Sequence, residues 1–107
     1  MLEKLKRLLS IIDDDRDDLL NDLLETAETR LGLLIGSEEI PRQLAYIVID
    51  VAIVRFNRIS SEGIHHHTVE GEHSIYNEND FAPYASEIES YLSMMDEVRG
   101  KAKVKFL

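Results

Sequence analysis

The chain has 107 residues, of which 44% are hydrophobic and 31% charged, and this composition predicts one soluble globular domain. With 21 acidic and 12 basic side chains the formal charge is −9, which argues against a surface built to neutralise the phosphates of DNA. The absence of cysteine excludes disulfides, thiolate metal sites and a cysteine nucleophile. Because no apolar run could span a bilayer and the N-terminal segment lacks a signal-peptide core, we expect a cytosol-like compartment.

The first third of the chain predicts two amphipathic helices. Apolar residues recur at helical spacing first at Leu2, Leu5, Leu8, Leu9 and Ile12. The aspartate-rich run 13–18 then indicates a helix break and restart, since carboxylates are favoured at helix starts. It lacks the glycine and the glutamate of an EF-hand calcium loop. A second stripe runs from Leu19 to Leu34, and Gly36 follows at the position of a left-handed C-cap.

A third helix is expected to begin near Pro41, because residues 37–41 carry helix-start signals. This segment, PRQLAYIVIDVAIVRFNRI, is apolar on more than one face and should be the centre of the core. The run IVIDVAIV could also form a buried strand, but the length of the segment and its charged ends favour a helix.

The second half of the chain is less regular. Residues 60–79 contain two glycines, three consecutive histidines and no helical periodicity, which predicts a long loop or a loose hairpin. Asp80 is predicted to cap a fourth helix that ends at Gly100. From residue 101 to 106 lysines alternate with apolar residues, and this period of two predicts a short β-strand.

The predicted fold is therefore all-α: a compact four-helix bundle with a long loop between helices 3 and 4 and a short C-terminal β-strand. We expect a helical domain over residues 1–98, including the 60–79 loop, and a basic tail over residues 99–107 with four basic and no acidic side chains. The expected core includes Leu24, Leu31, Ile47, Val51, Ile88 and Leu92.

No pattern of catalytic residues is present, and we expect neither an enzyme nor a cofactor. The chain lacks a nucleophile elbow, a P-loop, a dinucleotide-binding motif and a zinc-protease motif. His65, His66 and His67 form the most reactive-looking cluster, with His73 nearby. Adjacent histidines in an extended segment point to opposite faces, and no helical carboxylate completes the ligand set, so we expect no specific metal site.

Arg55 and Arg58 lie three residues apart near the end of the third helix, and Glu62 follows. One interpretation is a helix C-terminus stabilised by cations and a local ion pair. The other is an arginine pair that pins the long loop or a neighbouring subunit, and both remain open at this point.

The C-terminal strand needs a partner, because its backbone groups cannot pair with themselves. We expect it to leave the subunit and to add a strand to a neighbouring protein, with the portal as the favoured partner and main-chain hydrogen bonds supplying affinity. The alternative is pairing with the chain's own loop between Val69 and Tyr76.

Taken in order, several segments resemble the small bacteriophage head-to-tail connector proteins, the adaptors that bind beneath the portal. The resembling segments are LKRLLSIID, LLNDLLETAETRL, EIPRQL, VRFNRISSEG, VEGEHSIY and the FAPY helix, which together span residues 2 to about 92. The chain departs from the pattern at His65 to His67, where small polar residues are expected, and in its longer lysine-rich end.

The resemblance implies a non-enzymatic virion component at the head-tail junction, present in the host cytoplasm during assembly. It implies a ring, typically of about twelve copies, that contacts the portal and the next tail-side connector or stopper protein. DNA would pass through this ring without sequence-specific binding, and no membrane is involved. The alternative is a small acidic helical regulator that binds a partner helix through the stripe from Leu2 to Ile12.

Two groups of candidate residues follow from these expectations. The interface candidates are Leu2, Leu5, Leu9, Arg55, Arg58, Glu62, Ala102, Val104 and Phe106. The channel or loop candidates are His65, His66, His67, Glu70 and Glu72.

Overall fold

The computed structural model describes residues 1–64 and 78–105, and within these ranges the chain is helical and contains no strand. The α-helices are α1 (Leu2–Leu9), α2 (Asp17–Ile35), α3 (Ala45–Ile64) and α4 (Ala85–Lys105). A short 3₁₀ turn, Arg42–Leu44, leads into α3, and a 3₁₀ segment, Glu78–Tyr84, leads into α4. The all-α prediction is confirmed.

The first helix ends earlier than its apolar pattern predicts. Ser10 adopts a left-handed conformation (φ 59°) and its N–H donates to the Arg7 carbonyl, so α1 stops at Leu9. Ile12, the last member of the predicted stripe, is 96% exposed. The expected break is therefore confirmed, but it comes one turn sooner than the leucine spacing suggests.

The aspartate run is held to α1 by one lysine. Lys6 Nζ lies 2.8 Å from Asp14 Oδ1 and 2.8 Å from Asp17 Oδ1, across the break between α1 and α2. The hydrogen bonds with Asp14 and Asp17 raise the pKa of Lys6 to about 12. The same lysine lowers the pKa of the Asp14 carboxyl. These contacts connect α1 with the break and with the first residue of α2.

The second helix ends as its sequence predicts. Gly36 takes the left-handed conformation (φ 71°) after Ile35, and the Ser37 N–H donates to the Gly32 carbonyl at 3.0 Å. The chain then folds back so closely that a Cβ on Gly32 would lie 2.6 Å from the Ser37 carbonyl oxygen. Only glycine permits this approach at position 32.

The third helix is the centre of the core, as expected, and is not a strand. Along α3 the side chains of Ile47, Val48, Val51 and Ala52 are fully buried. Helix α1 and helix α2 both pack against it. The helix continues through Ile64, so residues 60–64 are helical where a loop was predicted. The rest of the predicted loop, residues 65–77, lies outside the described residues.

The predicted core is largely confirmed. Leu24, Leu31, Ile47, Val51 and Ile88 are all buried. Leu92 is half-buried and packs against the same cluster. The remaining buried apolar side chains are Leu5, Leu20, Leu23, Ala27, Ile35, Leu44, Val48, Ile49, Ala52, Phe56 and Phe81.

The fourth helix departs most from the prediction of a compact four-helix bundle. Its first turns contact the core through buried Ile88 and half-buried Tyr91 and Leu92. Further along, Met94 and Val98 are 48% and 59% exposed. The apolar repeat that suggested a fully packed helix begins at Phe81, which lies in the preceding 3₁₀ segment, so α4 starts later than predicted.

The C-terminal strand is not confirmed, and the structure corrects the predicted helix end. Helix α4 passes through Gly100 and includes residues 101–105. A glycine near a helix end costs only about 1 kcal/mol relative to alanine, and alanine and lysine favour helix over strand. Without a partner strand in the described part of the chain, intrahelical hydrogen bonds satisfy this backbone instead.

Candidate functional site: the Arg55–Arg58–Asp80 cluster and the exposed apolar residues

Two arginines of α3 bind one aspartate of the 3₁₀ segment. Arg55 Nε donates to Asp80 Oδ2 at 3.1 Å. Arg58 donates from Nη2 to Asp80 Oδ1 at 2.7 Å and from Nη1 to Asp80 Oδ2 at 3.0 Å. Because residues i and i+3 share a helix face, both guanidinium groups reach the same carboxylate. We call these three residues the arginine–aspartate cluster.

The arginine–aspartate cluster is largely buried, and burial strengthens the electrostatic attraction between its charged groups. The side chains of Arg55 and Asp80 are 4% and 5% exposed, and that of Arg58 is 21% exposed. Burial by itself raises the pKa of the Asp80 carboxyl, but the hydrogen bonds from Arg58 and Arg55 outweigh it and leave the pKa below its ordinary value. The Arg55 guanidinium also lies 5.7 Å from the centre of the Phe81 ring. Asp80 is therefore a fixed anion between two cations.

The position of Asp80 corrects its predicted role. It lies inside the 3₁₀ segment and binds α3, so it is not the N-cap of the fourth helix. The arginine pair binds a carboxylate that directly follows the predicted 60–79 loop, and its contact with a neighbouring subunit stays a prediction. A sequence signal for the pairing is hard to find, because 22 and 25 residues separate Asp80 from its partners.

A tyrosine pair, which the sequence analysis missed, makes a second connection between α3 and the start of α4. Tyr46 donates to Glu87 Oε2 at 3.0 Å, and Tyr84 donates to Asp50 Oδ2 at 3.1 Å. The rings meet edge to face, with centres 6.2 Å apart. Desolvation, and then the hydrogen bond with the carboxylate, raises the pKa of each phenol. With the cluster, this pair attaches the root of α4 to α3.

The predicted interface stripe of α1 faces the subunit's own core. Leu5 is fully buried, and Leu2 and Leu9 are partly buried against the core. The exposed apolar residues of this region are Met1, Leu8 and Ile12 instead. Helix α1 therefore does not present an exposed apolar stripe that could bind in the groove of another protein.

The remaining candidates fall where side chains are not described. Glu62 lies in α3, and Ala102 and Val104 lie in α4. Phe106 and the channel or loop candidates His65, His66, His67, Glu70 and Glu72 lie outside the described residues. Within residues 1–64 and 78–105 no group of three metal-ligating side chains comes together. The prediction about the histidines stays a prediction.

Apolar side chains of α2, α3 and α4 are exposed as well, and those of α3 are Tyr46 (39%) and Val54 (43%). Near the end of α2, Leu33 and Leu34 are 72% and 41% exposed, and on α4 the exposed pair is Met94 and Val98. None of the helices in the described part of the chain combines the length and apolar character needed to cross a membrane. These exposed apolar side chains lie on the surface of a helical subunit.

A comparison with known protein families identifies the family of this chain. The family model for the phage gp6-like head-tail connector protein matches residues 1–91, which includes α1 to α3, the arginine–aspartate cluster and the root of α4. The chain belongs to this family. No curated protein and no solved structure matches the connector significantly.

The family match ends at residue 91, close to the last apolar contacts described for α4. Up to residue 98, where the side chains of α4 are described, Tyr91 and Leu92 are the last apolar residues of this helix that pack against the core. Membership of this family supports a structural role in the phage particle.

Proposed function

We propose that this connector assembles as a ring of about twelve subunits beneath the portal and extends the channel through which DNA passes. The match of residues 1–91 to the head-tail connector family carries this proposal. The partners are further copies of the chain, the portal and the next tail-side connector or stopper protein. The location is the head-tail junction of the virion, with the host cytoplasm as the place of assembly.

The distribution of exposed apolar residues supports a ring. Leu8 and Ile12 lie around α1, Leu33 lies on α2, and Met94 and Val98 lie on α4, so the open positions are spread over different elements. A ring needs two different patches on each subunit, because every interface joins one patch to the other. Several separated patches on one chain suit this arrangement.

The charge of the connector suits a DNA conduit. A subunit with a formal charge of −9 repels the phosphate backbone at short range, within a Debye length of about 8–10 Å. The DNA would slide without adhering to the wall. The same charge opposes assembly between subunits, so we expect the ring to form on the portal as a template or at raised salt.

Three parts of the proposal concern segments whose side chains are not described. The channel candidates His65, His66, His67, Glu70 and Glu72 are proposed to lie toward the ring lumen or the neighbouring subunit. Glu62, Ala102, Val104 and Phe106 are proposed as interface residues. The basic end, residues 99–107, is proposed to act outside the subunit's own core.

Native mass spectrometry of the connector mixed with its portal tests the ring. We expect a complex with about twelve connector copies, and a complex with only one or two copies would contradict the proposal. The regulator alternative predicts a one-to-one complex with a partner helix. That alternative has little structural support, because Leu5 at the centre of its proposed binding stripe is buried in the core.

A further inference from the structure

A groove lies beside the last turns of α2 and is left open by the described subunit. The chain folds back from Gly36 to Ser37 over Gly32, and this leaves a groove of about 520 Å³ between α2 and the segment that follows it. Leu33, 72% exposed, is its apolar side chain. Glu25, Glu28 and Glu38 line it as well. We call this the α2 groove.

The distal part of α4, residues 93–105, has the complementary character. Met94 and Val98 lie four residues apart and therefore on one helix face, and both are exposed. Basic residues follow them at positions 99, 101, 103 and 105. The segment thus combines a short apolar ridge with a cationic end, whereas the α2 groove combines an exposed leucine with three carboxylates.

We propose that the distal part of α4 of one connector docks in the α2 groove of a second copy of this chain. Met94 and Val98 cover Leu33, and the basic end of α4 meets Glu25, Glu28 and Glu38. This contact deepens the proposed ring and rests on that proposal for its biological setting. The same contact repeated from copy to copy is heterologous, which is the type that closes into a ring.

Charge complementarity is the reason to choose a second copy as the occupant. Residues 1–98 carry all 21 acidic side chains and 8 basic ones, whereas residues 99–107 carry 4 basic and no acidic side chains. Two copies approaching at random repel each other, but the basic end of one copy is attracted to the acidic surface of the next. The contact thus supplies the attraction that a strongly acidic subunit otherwise lacks.

Disulfide trapping tests the contact in the full-length protein, which has no cysteine of its own. One population carries Leu33→Cys and a second, labelled with ¹⁵N, carries Val98→Cys, and the two are mixed under mild oxidation with and without portal. Both positions are exposed, so neither change should unfold the subunit. The control pairs Leu33→Cys with Asp15→Cys, another exposed position. We expect mixed-mass dimers about tenfold above the control, and a yield equal to the control in both conditions overturns the contact.

Charge reversal then tests the chemistry of the contact. Glu25→Lys/Glu28→Lys in the Leu33→Cys partner should lower the yield of its cross-link with the Val98→Cys partner about tenfold at low salt. A few exposed ion pairs contribute about 1–2 kcal/mol, which corresponds to that factor. Adding Lys101→Glu/Lys103→Glu/Lys105→Glu to the Val98→Cys partner should restore the yield. The matched control, Asp15→Lys/Glu89→Lys, changes the net charge equally at two exposed positions outside the α2 groove and should have a smaller effect. Failure of the restoration overturns the pairing of these two surfaces.

The result can be separated from the fate of the ring. About twelve copies on the portal without Leu33–Val98 cross-linking would leave the ring intact and reject this contact. Cross-linking in the free protein with only one or two copies on the portal would support the contact and reject the ring.

Discussion

Arg58 binds both carboxylate oxygens of Asp80, at 2.7 and 3.0 Å, although 22 residues separate the two in the chain. Helix α3 ends at Ile64, and the described chain resumes at Glu78. The bidentate contact therefore joins the two ends of the intervening segment. It positions the start of α4 on the core.

Replacement of Asp80 tests how much this contact stabilises the fold. Asp80→Asn removes the carboxylate charge that two guanidinium groups bind in a buried place, which should lower the free energy of unfolding by about 3–5 kcal/mol. Urea denaturation followed by circular dichroism measures the change. The control is Asp96→Asn on exposed α4, which should change stability by less than about 0.5 kcal/mol. Equal midpoints for the two variants would show that the cluster is not stabilising.

The depressed pKa of Asp80 predicts a pH dependence of that difference. Because the folded pKa lies below the unfolded value of about 3.9, the contribution is fully present above about pH 4–5 and is lost as the pH falls through the folded pKa. The stability gap between the parent and Asp80→Asn should therefore narrow on acidification below about pH 4. Urea titrations at several pH values measure it. A gap that stays constant down to about pH 2 would contradict this assignment.

Two valines of α3 provide a matched test of the core. Val51 is fully buried, whereas Val54, one turn away, is 43% exposed. Val51→Asp buries an unpaired charge and should cost more than about 4 kcal/mol, enough to unfold a domain whose total stability is about 5–15 kcal/mol. Val54→Asp should fold and melt near the parent. If thermal melts of the two variants coincide, the orientation of α3 is wrong.

Gly32 is the residue that permits the close return of the chain after α2. An alanine Cβ at this position would meet the Ser37 carbonyl oxygen at 2.6 Å, so the backbone must shift. We expect Gly32→Ala to destabilise the protein by about 1–3 kcal/mol, although alanine is normally the better helix former. Thermal denaturation measures it, with Thr29→Ala on the exposed side of α2 as control. Stabilisation by Gly32→Ala would show that this turn is looser than the structure describes.

Truncation after Gly100 tests whether the end of α4 contributes to the subunit's fold. Among the α4 side chains described, up to residue 98, the last that pack against the core are Tyr91 and Leu92, so we expect that removing residues 101–107 leaves the melting temperature nearly unchanged. The same truncation should weaken the cross-link between Leu33→Cys and Val98→Cys. A loss of several degrees in the free subunit would show that residues 101–107 belong to its own core.

The sequence by itself determined those elements that depend on short-range patterns along the chain. The leucine stripe from Leu19 to Leu34 and the glycine after it predict α2 and its left-handed cap, because helical periodicity and a residue with positive φ leave few alternatives. The central position of α3 follows equally from its apolar composition. The family resemblance also came from the ordered segments of the sequence, and the match over residues 1–91 confirms it.

Tertiary structure alone decided which residues meet across long separations. Aspartate is a favourable N-cap residue, and the sequence therefore predicts that Asp80 caps a helix. In the structure Asp80 instead accepts charge-assisted hydrogen bonds from two arginines of α3, which are stronger than a capping bond. The alternation at residues 101–106 would suit a strand only with a partner strand beside it. The backbone groups of a strand must hydrogen-bond to another segment, whereas those of a helix hydrogen-bond within the helix. For this reason the end of α4 is helical.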